Sequence, residues 1–142
     1  MILLDANALI SLLLDEPAAP EIAKLMRSGD CGTPAPCVAE VKDRLIRRHG
    51  ISEEEFLERV GPLVDVAVAG VPVGVPVAQR AGGIRASHYS RERAALSLAD
   101  CLLLASAEGD DEIATADAAV IATASKLGIG VIRLLNSRGR RP

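Results

Sequence analysis

Aromatic side chains are nearly absent from this 142-residue chain, which has one Phe (Phe56), one Tyr (Tyr89) and no Trp. That scarcity argues against a site built on stacked rings, the device that single-strand nucleic-acid binders commonly use. Cysteine is scarce as well. Cys31, Cys37 and Cys101 make an odd number with no C-x-x-C spacing, which disfavours paired disulfides and a zinc site and fits reduced thiols. Positive charge is not in excess, the formal net charge being −3, so the surface as a whole does not attract nucleic acid. No apolar run reaches the length of a membrane span. The opening "MILLDANALISLLLDEP" lacks a basic leading segment and carries Asp5 within its apolar part, so it does not read as a signal peptide. The expectation is a soluble cytoplasmic protein with no membrane partner.

What the chain does have is aliphatic bulk. Hydrophobic residues make up 49% of it, nearly all Ala, Val, Leu and Ile, which suits one compact domain over residues 1–142. Basic residues gather at Arg44, Arg47 and Arg48, at Arg80, Arg85, Arg91 and Arg93, and at Arg133, Arg138, Arg140 and Arg141. Residues 135–142 read as a flexible basic tail. Residues 1–5 form an apolar strand running into a helix at 7–14, and "PEIAKLMRSG" opens on Pro20 and stops at Gly29. A strand near 31–35 precedes a helix from about 37 to Gly50, and "SEEEF" is a capping box of Ser52 with Glu55. "LVDVAVAG" alternates with period two, as a strand does. Pro76 opens a helix that Gly82 and Gly83 end or weaken. A helix at 98–108, the strand "EIATA", a helix at 118–127 and the strand "GVIRL" complete the chain. Strands alternating with helices, and apolar on both faces, indicate an α/β domain with a mainly parallel central sheet.

Such sheets carry ligand sites at the carboxyl ends of their strands. Asp5 follows the first strand and Asp117 follows "EIATA"; Glu40 lies one turn into the helix after the second strand, and Asp100 begins its own helix. Each has a structural explanation. Asp5 and Asp117 suit N-caps, Asp100 completes a capping box with Ser97, and Glu40 can pair with Arg44 one turn on for about 0.3–0.5 kcal/mol. Their surroundings point further. Asp100 shares a helical face with Leu103, Leu104 and Ala107, and Asp117 shares one with Val120, Ile121 and Ala124. These are core-facing positions, whereas a simple capping acid prefers water. Two carboxylates about 4 Å apart repel by about 4 kcal/mol at an effective dielectric near 20. Acids that converge must therefore take up protons or gather around a cation.

An oxygen-only donor set suits Mg²⁺ or Mn²⁺ rather than Zn²⁺. His49 and His88 lie in basic stretches and read as surface residues. Acid clusters holding such cations commonly act on phosphate esters, and Arg44 with Arg47, on the helical face of Glu40, would offer phosphate contacts.

"LLDANALI", the isolated acid of "VAEV", "LSLADCLLLASA" and "IATADAAV" with "LGIGVIRL" together resemble a PIN domain, over essentially the whole chain and in order. The pattern is most similar to the VapC-type ribonuclease toxins of toxin–antitoxin pairs. The resemblance implies a Rossmann-like three-layer α/β fold and Mg²⁺- or Mn²⁺-dependent endoribonuclease activity. It also implies a small cognate antitoxin and a homodimer or a higher hetero-oligomer with that antitoxin. Matched by position, the family's four acids fall on Asp5, Glu40, Asp100 and Asp117, with Asn7, Ser97 and Thr115 as polar neighbours of the metal. Asp5 and Asp100 would be direct ligands, and Glu40 and Asp117 would bind directly or through water. Where many relatives carry an aromatic residue after the fourth acid, this chain has "DAAV".

Two rivals stand beside this reading. An aspartate-dependent phosphatase would need a second Asp two residues after Asp5, where Asn7 stands, and a lysine better placed than Lys126. A catalytically inactive PIN domain acting as an interaction module would keep the fold without the chemistry.

Overall fold

The computed structural model of the chain describes residues 1–63, 67–92 and 94–142. Five short strands form one sheet: β1 (Ile2–Leu4), β2 (Cys31–Pro34), β3 (Ala69–Val71), β4 (Glu112–Thr115) and β5 (Gly130–Arg133). Their order is β3-β2-β1-β4-β5, and each of these pairings is parallel. Successive strand residues point to opposite faces. Leu3 and Leu4 are both buried, as are Ile113, Ala114 and Thr115, so both faces of the central strands are covered by helices.

The helices are α1 (Ala6–Leu13), α2 (Ala19–Ser28), α3 (Ala35–His49), α4 (Glu53–Pro62), α5 (Val75–His88), α6 (Leu98–Ser106) and α7 (Ala118–Leu127). Local chemistry sets their ends. The prolines of "CGTPAPCVAE" mark a boundary: Pro34 closes β2, and Pro36 sits in the first turn of α3, where no backbone N–H is needed. Helices α3 and α7 stop on Gly50 and Gly128, both left-handed with φ of 67° and 73°. The core is aliphatic, with Leu4, Ile22, Val41, Leu103, Ile113 and Val120 wholly inaccessible.

Several expectations change. The strand read over "LVDVAVAG" is shorter and later, at Ala69–Val71, and residues 64–66 of that segment lie outside the described residues, as does Arg93. Gly82 and Gly83 do not end α5, which runs on to His88. A mid-helix glycine costs about 1 kcal/mol, and packing on α6 outweighs it. Ala81 is buried, Arg80 donates to the Ala105 carbonyl at 3.1 and 3.3 Å, and Arg85 donates to the Leu96 carbonyl at 2.7 Å. The capping box at Ser52 is half made. Its hydroxyl accepts the Glu55 N–H at 3.1 Å, but the Glu55 side chain turns to Arg59 instead.

The C-terminal segment, expected as a flexible tail, closes into a turn. Asn136 Oδ1 accepts the backbone N–H groups of Arg138 and Arg140, both at 3.0 Å, and Arg141 pairs with Glu21 of α2 at 3.1 Å. No helix among the described residues is long and apolar enough to cross a membrane. The sheet order reverses direction at β1 and β4, and the crevice beyond their carboxyl ends is where open parallel sheets receive ligands.

Candidate active site

Asp5 is the first residue past β1. Its backbone stays extended (φ −76°, ψ 169°), and its Oδ1 accepts the Ala8 N–H, so it caps α1. In the sheet register Leu4 faces Ala114, which brings Asp5 beside Thr115. The Thr115 hydroxyl donates to Asp5 Oδ2, and its oxygen accepts the Asp117 N–H at 3.0 Å. Only 2% of Asp5 is exposed. Burial pushes its carboxyl up to about 7; the Thr115 and Ala8 hydrogen bonds oppose this, and the charges of Asp100 and Asp117 add to it.

The other aspartates are caps too. Asp117 Oδ1 accepts the N–H groups of Ala119 at 2.7 Å and Val120 at 3.1 Å, fixing the start of α7. Asp100 completes the expected capping box, its Oδ2 accepting the Ser97 N–H at 2.7 Å while Ser97 Oγ accepts the Asp100 N–H at 3.0 Å. The bland explanation therefore holds at all three positions, and it does not exhaust them. Each cap on Asp100 and Asp117 uses one carboxylate oxygen. Asp100 Oδ1 and Asp117 Oδ2 carry no hydrogen bond from the protein among the described residues.

Glu40 reaches the group from α3, which packs against both α1 and α6. It is half-buried, and burial raises its carboxyl; the nearby Arg44 lowers it, and Asp100 and Asp117 raise it. Arg44 binds Glu40 Oε1 at 2.6 Å and also donates to Asn7 Oδ1, so one guanidinium ties α3 to α1. All four acids thus belong to one electrostatic group at the β1–β4 crevice, with Asn7, Ser97 and Thr115 in hydrogen-bonding roles around it. Arg47 stands apart, bound to Asp43 at 2.6 and 3.0 Å on the exposed face of α3.

Sequence reasoning passed over several neighbours. Cys37, one turn before Glu40 on α3, is buried, and its thiol is pushed up to about 12 by burial and by Asp5, Glu40 and Asp100. It is a neutral thiol against the acids at any ordinary pH, and its i−3 spacing from Glu40 is the signal that could have found it. An open cleft of about 270 Å³ is lined by Asn7, Ser11, Glu16, Arg44, Arg48, His49, Asp117 and Asn136. His49, expected as an ordinary surface residue, forms part of its wall.

The donor chemistry fits a hard cation. As the side chains stand, no three Asp, Glu, His or Cys groups among the described residues are close enough to share one ion. Three carboxylate oxygens, on Glu40, Asp100 and Asp117, are nonetheless left without a protein hydrogen bond among the described residues, and a protonatable Asp5 lies among them.

The family model of the PIN domain matches residues 2–118. No curated protein matches the chain. Among solved structures the chain is similar to one in the FitAcB crystal structure from Neisseria gonorrhoeae, at 24% identity and TM-score 0.56, covering 93% of this chain and 96% of that one. It is also similar to a chain of FitAB bound to an IR36 DNA fragment, at 25% identity and TM-score 0.60, covering 93% and 94%.

Proposed function

The chain belongs to the PIN-domain family, and from that premise we propose that it is a Mg²⁺- or Mn²⁺-dependent endoribonuclease, the toxin of a toxin–antitoxin pair. The observation that carries this reading is the state of Asp5. A fully buried carboxyl, raised to about 7 by burial and by Asp100 and Asp117, is poised between holding a proton and holding a cation. Such a group is an unfavourable way to build only a helix cap, which Asn or Ser would serve as well.

In this reading Asp5 and Asp100 hold the cation directly, and Glu40 and Asp117 hold it directly or through water. When bound, the cation supplies charge for the scissile phosphate and a water of lowered pKa. The caps of α1, α6 and α7 lock the three aspartates, so little reorganisation is left to the moment of reaction. Thr115 orients Asp5, and Asn7 orients Arg44. Arg44 is placed to exchange its Glu40 contact for a phosphate oxygen. Cys37 presents a neutral thiol to the acids rather than a further charge.

The toxin assignment draws on the resemblance of the four motifs and on likeness to the FitAB assemblies. A small partner protein covering the acids would restrain the activity, and a homodimer or a larger complex with that partner is the expected assembly. The purified chain should cleave RNA only with Mg²⁺ or Mn²⁺, and Asp100→Asn, which keeps its cap, should lower the rate by at least about a hundredfold. Cleavage that persists in excess EDTA, or in that variant, would remove the proposal.

A further inference from the structure

The cleft lined by Asn7 and Asp117 also holds a carboxylate that the nuclease chemistry does not use. Glu16, in the turn between α1 and α2, lines the cleft with Ser11 and with Arg44 and Arg48. The Ser11 hydroxyl donates to Glu16 Oε2 at 2.7 Å, which fixes the carboxylate and leaves Oε1 without a hydrogen bond among the described residues. No Lys, Arg or His among the described residues lies within ion-pair distance of it, although Arg48 and His49 line the same cleft and have no acidic partner there either. The cleft thus gathers Arg44, Arg48 and His49 with two carboxylates, Asp117 of the acidic centre and Glu16.

Phosphates suit Arg44 and Arg48 and would be repelled at Glu16, so what meets Glu16 must be a hydrogen-bond donor. Asn136, which lines the same cleft, supplies the opposite polarity. Two backbone N–H groups converge on its Oδ1, which settles the amide's orientation and leaves Nδ2 as a donor. An acceptor pair and a donor facing one cleft complement one nucleobase edge. Guanine presents N1–H and N2–H side by side, flanked by the acceptor O6. Adenine and cytosine each place a ring-nitrogen acceptor beside their amino group, and uracil sets its single N–H between two carbonyls. Each of those three would bring a lone pair against the carboxylate. Bases splayed from single-stranded RNA are read on this edge. The cleft volume, about 270 Å³, lies just under the roughly 300–1,000 Å³ of drug-sized sites, which suits one nucleotide.

We propose that this cleft is a guanosine subsite beside the acidic centre. Glu16 accepts from N1–H and N2–H, Asn136 Nδ2 donates to O6, and Arg44 and Arg48 hold the adjoining phosphate. The assignment rests on the ribonuclease reading and gives it a substrate class, RNA with guanosine next to the cut.

The test uses the full chain carrying Asp100→Asn, without metal, and the probes 5′-GMP, AMP, CMP and UMP followed by NMR titration. GMP should bind about ten- to a hundredfold more tightly than the other three and shift the signals of Glu16 and Asn136. Glu16→Gln replaces an acceptor by a donor, so it should lose GMP and favour AMP or CMP, with an unchanged melting temperature as the control for folding. In the otherwise native chain, cleavage sites mapped on a random RNA pool should be enriched in guanosine and lose that enrichment in Glu16→Gln. Equal binding of all four nucleotides, or a guanosine preference that survives Glu16→Gln, overturns the proposal. So does perturbation of Glu16 by N-acetylarginine amide in place of GMP, which would give the carboxylate to a partner protein. Selective GMP binding without RNA cleavage would keep the subsite and remove the nuclease reading; cleavage indifferent to base would do the reverse.

Discussion

Thr115 ties Asp5 to Asp117 across the β1–β4 seam: its hydroxyl donates to Asp5 Oδ2 while its oxygen accepts the Asp117 N–H at 3.0 Å. One hydroxyl is therefore donor and acceptor between two acids of the site, both helix caps. Thr115→Val keeps the shape and removes both bonds. It should cost about 1–3 kcal/mol in urea unfolding, since a part-buried N–H and a buried carboxyl lose a partner. Thr115→Ser should retain most of the stability. Equal losses in the two variants would show that the methyl group, and not the hydroxyl, is what matters.

The raised carboxyl of Asp5 makes the metal-free fold sensitive to pH. The unfolded group titrates near ~3.9 and the folded one near 7, so the folded chain holds the proton more tightly. Its stabilising contribution is full below the unfolded value and is lost as pH rises through 7. Asp5→Asn does not titrate. In EDTA at pH 8 it should melt roughly 3–10 °C above the parent, with the gap narrowing toward pH 4. Mg²⁺ at pH 8 should raise the parent's melting temperature and leave Asp5→Asn unmoved, because only the parent binds the cation in its folded form. A parent that melts identically at pH 5 and pH 8 in EDTA would contradict the assignment.

Arg44 and Arg47, which share a face of α3 by count, should behave differently. Arg44 faces Glu40 and Asn7, whereas Arg47 is bound to Asp43 on the exposed side. In an Asp100→Asn background, Arg44→Ala should weaken RNA binding several-fold and reduce the slope of log affinity against log salt by about one. Arg47→Ala should leave both near the parent's values. Equal slopes for the two variants would place the phosphates elsewhere.

Helix α5 offers a test of stability without chemistry. A Cβ added at Gly82 or Gly83 meets no atom within 4 Å, and neither residue has positive φ. Gly82→Ala and Gly83→Ala should each stabilise the chain by about 0.5–1 kcal/mol, through the lower entropy of the unfolded state. Calorimetry or denaturant titration reads this directly. Destabilisation by either would mean that α5 bends at the pair.

The elements read best from sequence were those with local chemistry at both ends. Helix α7, between its cap Asp117 and left-handed Gly128, was legible to the residue, and α6 was legible from its Ser97–Asp100 box. The four acids stood out as candidates because Asp5 and Asp117 follow strands and Asp100 and Glu40 lie early in helices, positions that a parallel sheet gathers at one edge. What misled was local signal overruled from a distance. Gly82 and Gly83 look like a stop, yet the carbonyls that hold Arg80 and Arg85 belong to Ala105 and Leu96. Glu16 and Asn136 stand 120 positions apart and carry no motif, so their meeting in one cleft follows only from the closed C-terminal turn. Arg47 shares a helical face with Arg44 by count, but the choice between Asp43 and the crevice depends on where the neighbouring helices lie.

Three of the four acids are also helix caps, and this bears on how such a domain can age. Asn can take over the cap at positions 5, 100 and 117 with its own oxygen, and at position 5 it also removes a buried charge. A lineage released from its chemistry would thus lose the acids by single substitutions that leave the fold intact or firmer. Copies of this domain carrying Asn at those positions would be durable proteins with silent crevices, kept for whatever surfaces they still present.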